Sequence, residues 1–511
     1  MISEELQRLC ERLRPEMGDV AEPGPYIGIE QLTSKFGTFY EKVRSLVDYK
    51  EAHVIRRGVI RRILKRQLYL ERLTSGVGTM LLKELVESGY LPNNRVPEAK
   101  GATLQAIVSK WMLLRREGLT VSQTLDFSAI EVERFLYPDQ HADLVVDAFF
   151  ASAAPALVYQ GMKGKDMTSL TYAACRRSLL NEDRAALVYA LAIRMVPELA
   201  SMGGTDQYYE ALSANVQRAI RLADSIATDS LVWKVSARLR NHSLYYAVFL
   251  EILRQYGKGT PLVFGDEAKL REVARSIIEK KQKAQRRGIR VSGRRAVLYL
   301  LLTKILLGVL LEWPYEYFFL KHTNYLALGT NVLFHPLLLL SMVTFLGSEK
   351  KGAERVVNGV QTIVEGKKMP QIFIKPPVSP TIFFFVFCFY VALFAVSFGA
   401  ILAGLLALDF NVVSILLFFA FLTLVSYFGL RIRTIARQWE PAPEKVGTIA
   451  MVWSLFTNPI IRTGRWFSIR FSSVNVFVFL LDFLVEVPFK AFLGIFDASL
   501  SFIKEQKTDT Y

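Results

Sequence analysis

Along the first 295 residues the apolar positions recur at the helical period. From Phe39 to Arg72 they fall at Val43, Leu46, Val47, Val54, Ile60, Ile63, Leu64 and Leu68, which predicts one long helix. Similar amphipathic patterns run over Leu104–Leu114, Ala142–Val158, Arg184–Met195, Tyr208–Ile226 and Leu231–Tyr256. Breakers separate them: "YLPNNRVPE", "YPDQ", "SMGGTD" and "GKGTP". No window alternates with period two between hairpin turns, so the expected class for this half is all-α.

After Arg295 the pattern changes from stripes to continuous apolar runs. The first, "AVLYLLLTKILLGVLLE", comes after the basic run Glu279–Arg295 and measures about 25 Å as a helix, slightly short of a hydrocarbon core of about 30 Å. Further runs cover Leu326–Leu346, Thr381–Leu408 and Val412–Leu430. Only "DFN" separates the last two, which predicts a tight antiparallel hairpin. Basic residues cluster before the first run, between the second and third, and after the fourth; the alternate loops hold Glu312, Glu316, Lys321 and His322, or only Asp409. The positive-inside rule then gives four spans with the N-terminal region cytosolic. The expected architecture is a helical cytosolic domain over 1–290, a multi-pass α-helical membrane domain over 291–438 and a C-terminal region over 439–511.

Composition refines this picture. The formal charge of +16 would suggest nucleic acid in a soluble chain. In a chain with apolar runs the same cations set orientation and attract anionic lipid, so nucleic acid is not the expected partner. Cys10, Cys175 and Cys388 are widely separated and form no CxxC pair, which fits neither a zinc site nor a disulfide framework. The charged N-terminus "MISEELQRLCERLRPE" lacks the apolar core of a cleavable signal, so targeting is expected from the internal runs. None of the five histidines has two-ligand spacing, no Walker loop or complete dinucleotide loop occurs, and the Ser348/Lys351 spacing of a Ser-Lys dyad falls in a charged loop with no expected pocket. The expectation is therefore no cofactor, no metal and no catalytic residue.

Candidate functional residues lie in two places. The stretch "RRGVIRRILKR" presents Arg56, Arg57, Arg61, Arg62, Lys65 and Arg66 around a helix, a face for anionic lipid head groups or a protein partner, or the solvated basic face of a long core helix. Within the apolar runs, Lys304 and Glu312 share a face of the first, and Asn331 and His335 share a face of the second. Near the C-terminus Asp482, Glu486 and Lys490 are four apart on an apolar helix over Val474–Phe496, expected to lie in the inner interface or to cross as a fifth span. Together these seven form a candidate polar membrane cluster, with inter-helix hydrogen bonding weighed against a solute or ion path. The segments "LLEWPYEYF" and "LVEVPFKAF" share a Glu-x-Pro-aromatic pattern, read as a boundary device where a helix meets the water–lipid interface. A ridge of Ala395, Gly399, Ala403 and Ala407 is expected to pack closely against the fourth span.

The stretches "LTKILLGVLLEWPYE", "NVLFHPLLLLSMVTFLG" and "YEKVRSLVDYKEAHVIRRGVIRRILKR" resemble a pattern found in uncharacterised bacterial multi-pass membrane proteins with a helical cytosolic N-terminal domain. The resemblance covers about a quarter of the chain and implies location in the bacterial inner membrane, with no assigned activity. The bilayer is the partner it implies. The expected function is that of a membrane-anchored structural, assembly or partner-binding protein; the second reading is a small-solute or ion transporter using the polar residues of the spans.

Overall fold

The computed structural model describes residues 24–28, 52–69, 76–116, 118–162, 165–201, 206–308, 312–321, 324–344, 350–376, 379–442 and 448–472. The all-α class holds: among these residues the strands are two three-residue segments. The chain divides into two compact units. Unit 1 comprises Met1–Ala284, Ser348–Pro377 and Trp439–Ala442; unit 2 comprises Gln285–Gly347, Val378–Gln438 and Pro443–Tyr511.

Unit 1 contains α1 (Ala52–Tyr69), α2 (Val77–Glu87), α3 (Lys100–Arg116), α4 (Val121–Leu136), α5 (Gln140–Ala153), α6 (Met167–Leu180), α7 (Arg184–Met195), α8 (Asp206–Thr228) and α9 (Ser230–Tyr256). Their starts obey capping chemistry. Thr120 and Gln123 form a reciprocal capping box at α4, and Asp139, Asp183 and Asp229 accept backbone N–H groups at the starts of α5, α7 and α9. At the α2–α3 crossing two glycines meet: a Cβ on Gly78 would collide with the carbonyl of Gly101. One apolar core runs through all nine helices.

The segment between the first pair of apolar helices and the second belongs to this core, which a reading as a basic loop does not foresee. It forms a helix over Lys350–Val364 that buries Val356, Val357, Val360 and Val364 on one face. It continues into the strand Ile372–Ile374, paired in parallel with Leu157–Tyr159.

Unit 2 is built from long helices. A helix of 41 residues, α10 (Glu267–Leu307), has its first part in unit 1 and the rest, from Gln285, in unit 2. The first expected span is thus the end of this helix rather than a separate element. Then come α11 (Tyr325–Thr344), α12 (the Lys350–Val364 helix of unit 1), α13 (Pro380–Ala407), α14 (Val412–Ala436) and α15 (Thr448–Ser472). Three of these, α11, α13 and α14, are long and apolar enough to cross a membrane. The α13–α14 hairpin has the expected tight turn, with Asp409 at φ 55° and Asn411 capping α14. One cluster, with Ile289, Leu339, Val343, Val425 and Ile432, joins α10, α11 and α14.

The small-residue ridge of α13 does not pack as its spacing suggests. Ala395, Gly399, Ala403 and Ala407 face outward, and nothing lies within 4 Å of a Cβ placed on Gly399. The bulkier face of α13 meets α14 instead: Leu405 packs with Phe410 and Phe418, and the Phe398 ring lies 5.4 Å from that of Phe419. Ring and leucyl contacts bury more apolar area than alanines can. A close backbone approach in this unit is at Gly464 of α15, where a Cβ would strike the carbonyl oxygen of Thr423. Gly464→Val is therefore expected to cost about 1–3 kcal/mol by forcing α14 and α15 apart, measured by unfolding of the full chain in bicelles. A change below experimental error would contradict that packing.

Candidate functional site

The polar residues of the apolar helices converge in unit 2. α10 carries Lys304, whose Nζ donates to Asn331 Oδ1 on α11 at 2.8 Å. Asn331 Nδ2 in turn donates to Glu312 Oε1. Lysine and glutamate are thus joined through one amide, which uses its acceptor for the cation and its donor for the anion. The Nζ also sits 4.2 Å from the centroid of the Phe421 ring on α14, a cation–π position. One turn further along α11, His335 places Nε2 3.0 Å from the carbonyl oxygen of Phe418 and Nδ1 3.2 Å from that of Asn331. Both partners are acceptors, so a neutral ring donates to one and sets a lone pair against the other, whereas an imidazolium donates to both. The ring stands edge-on to Phe418 at 4.7 Å.

A second tier lies at the helix ends. Glu316 Oε1 accepts from Asn411 Nδ2 at 2.7 Å, and its Oε2 accepts from the backbone N–H of Asn324 at 3.2 Å. Asn411 and Asn324 are themselves caps: their side-chain oxygens accept the N–H of Ser414 and those of Leu326 and Ala327. Asn324 Nδ2 also donates to the carbonyl of Leu408, at the end of α13. Glu316 therefore ties together the starts of α11 and α14.

Burial decides what this arrangement does. Lys304, Glu312 and Glu316 are each 2% exposed, and Asn331, His335 and Ser414 are 0% exposed. Ionisable groups sealed this way are costly unless they satisfy one another. Glu312 Oε2 and the Ser414 hydroxyl make no hydrogen bond of ordinary geometry, and the two side chains face one another.

Of the expected cluster, Lys304, Glu312, Asn331 and His335 are brought together; Asp482, Glu486 and Lys490 lie outside the described residues, as does "LVEVPFKAF". The other proline segment stays helical through Trp313–Tyr315 and a π-helical turn over Glu316–Leu320, ending at Lys321 with φ 51°. Glu316, Asn411 and Ser414 are members that sequence reasoning missed. An Asn directly before an apolar run is a capping signal, so Asn411 was findable; its partner 95 residues away was not.

The basic helix α1 buries Val59, Ile60, Ile63 and Leu64 in the core, and several of its cations pair with carboxylates of unit 1. Arg56 donates to Glu133 at 2.5 Å and stacks over the Tyr137 ring at 4.1 Å. Arg57 is buried and donates to Asp183 at 3.3 Å, Arg61 donates to Asp126 at 2.5 Å, and Arg66 donates to Glu84. Arg62 is half-buried and Lys65 exposed. The carboxylates come from α2, α4 and the cap of α7, so Arg56, Arg57, Arg61 and Arg66 are paired inside unit 1, while Lys65 and Arg66 stay exposed to solvent.

Deeper in unit 1, Glu131 accepts from Lys110 at 2.5 Å and from Trp111 Nε1 at 2.7 Å, all three side chains being buried. Arg176 forms a two-pronged pair with Glu182, both bonds 2.7 Å, and reaches Asp143 at 2.8 Å. Burial alone would raise the Glu182 carboxyl, but the charge and hydrogen bonds of Arg176 outweigh it and hold the group at about 2. Cys175 is buried and its thiol is pushed up by desolvation, the opposite of a reactive nucleophile. A shallow groove of about 520 Å³ opens between α7 and α8, lined by Met195, Tyr208, Leu212, Arg218 and Leu222.

Comparison of the chain with known protein families, with curated proteins and with solved structures finds no match.

Proposed function

We propose that the chain is a multi-pass protein of the bacterial inner membrane that anchors a helical, partner-binding body on the cytosolic side. The observation that carries this reading is the closure of the polar cluster. Lys304 of α10, Asn331 of α11 and Glu312 satisfy one another at 2% exposure or less. A solute path needs such groups turned toward water, whereas a lock between helices needs them turned toward each other. Three apolar helices supply the membrane region. Orientation is supported by Arg287, Arg290, Arg294 and Arg295 before the apolar end of α10 and by Arg431 and Arg433 at the end of α14, against Lys321 and Asp409 at the opposite ends. Unit 1, with its own core and internally paired charges, is the body presented to a protein partner.

The test uses the full chain. Amine-directed cross-linking in intact membranes is expected to attach one recurrent protein to lysines of unit 1, and proteoliposomes holding the purified chain are expected to leak ions no faster than empty ones. Flux that disappears in Glu312→Gln, together with no recurrent cross-link, would overturn the reading in favour of transport.

A further inference from the structure

The outer face of α15 mixes cations with large apolar side chains. Arg462, Arg465, Trp466 and Ile469 follow one another at helical spacing and are all exposed, the last two at 60% and 62%. Arg462 lies over the Tyr390 ring at 4.7 Å, and among the described residues neither it nor Arg465 has a carboxylate partner. Lipid tails would cover the apolar members of this face and strand the arginines; water would do the reverse. The same face of a second copy would set arginine against arginine. What fits is an apolar helix with a line of carboxylates.

The chain continues into such a sequence. Val474–Phe496 lies outside the described residues; in sequence it is apolar except for Asn475, Asp482, Glu486 and Lys490, and the last three share one helical face. Its polar positions mirror those of α15. Counted back from Ser472, the end of α15, Arg465, Arg462 and Asn458 stand at 7, 10 and 14 residues. Counted on from Asn475, Asp482, Glu486 and Lys490 stand at 7, 11 and 15. Pro459 and Pro488 stand at 13 on either side. In an antiparallel helix pair with a short turn, residues equally far from the turn meet. The α13–α14 hairpin follows this rule: Phe398, 9 before Ala407, meets Phe419, 8 after the cap Asn411. Asn475 precedes its apolar run as Asn411 precedes α14.

We propose that the exposed face of α15 is a docking surface for the chain's own Val474–Phe496, which folds back along it as an antiparallel helix and pairs Arg465 with Asp482 and Arg462 with Glu486. Each guanidinium then donates to a carboxylate, and the side-chain oxygen of Asn458 accepts from the Lys490 ammonium. Trp466 and Ile469 are covered by the apolar body of the returning helix. This pairing is independent of what unit 1 binds.

The experiment cross-links the full chain in proteoliposomes. Ile469→Cys and Phe479→Cys, 3 residues before Ser472 and 4 after Asn475, are introduced together and oxidised. Chains of ordinary and heavy nitrogen are mixed equally, and linked peptides are identified by mass spectrometry, which also separates them from links to the native cysteines. The expected product is a 469–479 link that joins light to light and heavy to heavy, the mark of one chain closing on itself. Ile469→Cys with Leu493→Cys, on the same face but about 21 Å further along, should link at least about tenfold more slowly. Arg465→Asp should slow the 469–479 link by about threefold or more, and adding Asp482→Arg should restore it to within about twofold. Where Arg465→Asp alone does not fold, recovery of a folded, linked chain by Asp482→Arg is the expected result. Absence of the 469–479 link, equal linking at 493, a majority of light–heavy links, or no rescue by the exchanged charges would overturn the proposal. Light–heavy links would assign this face to a second copy instead.

Discussion

Lys304→Met is expected to destabilise the contact among α10, α11 and α14 by about 2–4 kcal/mol. The estimate lies between two reference points: hydrogen bonds between membrane helices average about 0.6 kcal/mol and reach about 1.7, while breaking a buried ion pair costs about 3–5 kcal/mol. Methionine nearly preserves volume and still fills the space beside Phe421, so the loss is electrostatic rather than a cavity. What remains is Asn331 without a donor for its Oδ1, and Glu312 with no cation linked to it. Hydrogen exchange in α11 and α14 of the full chain in bicelles should rise by the corresponding factor. Exchange unchanged within error would mean that the 2.8 Å contact contributes nothing to stability.

A loss of similar size is expected in unit 1 from Glu182→Ala, about 3–5 kcal/mol. Arg176 is buried, and its guanidinium directs two parallel bonds to Glu182; alanine leaves that charge with Asp143 and Tyr172 alone. The same pair sets a pH dependence. The folded-state pKa of Glu182 is depressed to about 2, below the ordinary carboxylate value. Its contribution is therefore fully present above the unfolded value near 4.5 and is lost as pH falls toward about 2. In Glu182→Ala the stability of α6 and α7 should be lower at neutral pH, and the gap to wild type should narrow on acidification. A gap independent of pH would contradict the ionised pair.

The parts of this molecule that were legible in the sequence share a short range. Apolar period marked α1, α3, α5, α7, α8 and α9 of unit 1 but not α2, α4 and α6, and apolar length marked α11, α13 and α14, because both are local properties of the chain. Lys304 with Glu312, and Asn331 with His335, could be placed on common faces for the same reason. That Asn331 stands between Lys304 and Glu312 was one of several possible pairings, decided by how α10 and α11 pack. The bond from Asn411 to Glu316, 95 positions apart, and that from Arg56 to Glu133, 77 apart, leave no periodic trace. Without Glu133, Asp126, Asp183 and Glu84 in view, the cations of α1 resemble a surface for lipid; with them, Arg56, Arg57, Arg61 and Arg66 are paired inside unit 1. The ridge on α13 shows the reverse error: a local pattern of small residues suggested close packing, and the close packing occurs at Gly464 against Thr423.

Lys304 and Glu312 work as one linked element through Asn331, and on this the reading of unit 2 depends. A double-mutant cycle on the full chain in bicelles, combining Lys304→Met with Glu312→Leu, tests it most directly. Each single change strands a buried partner, whereas the double change removes both charges together. The double variant is expected to lose at least about 1 kcal/mol less than the sum of the two single losses. Losses that add to within about 0.5 kcal/mol would show two independent residues and would contradict the linkage.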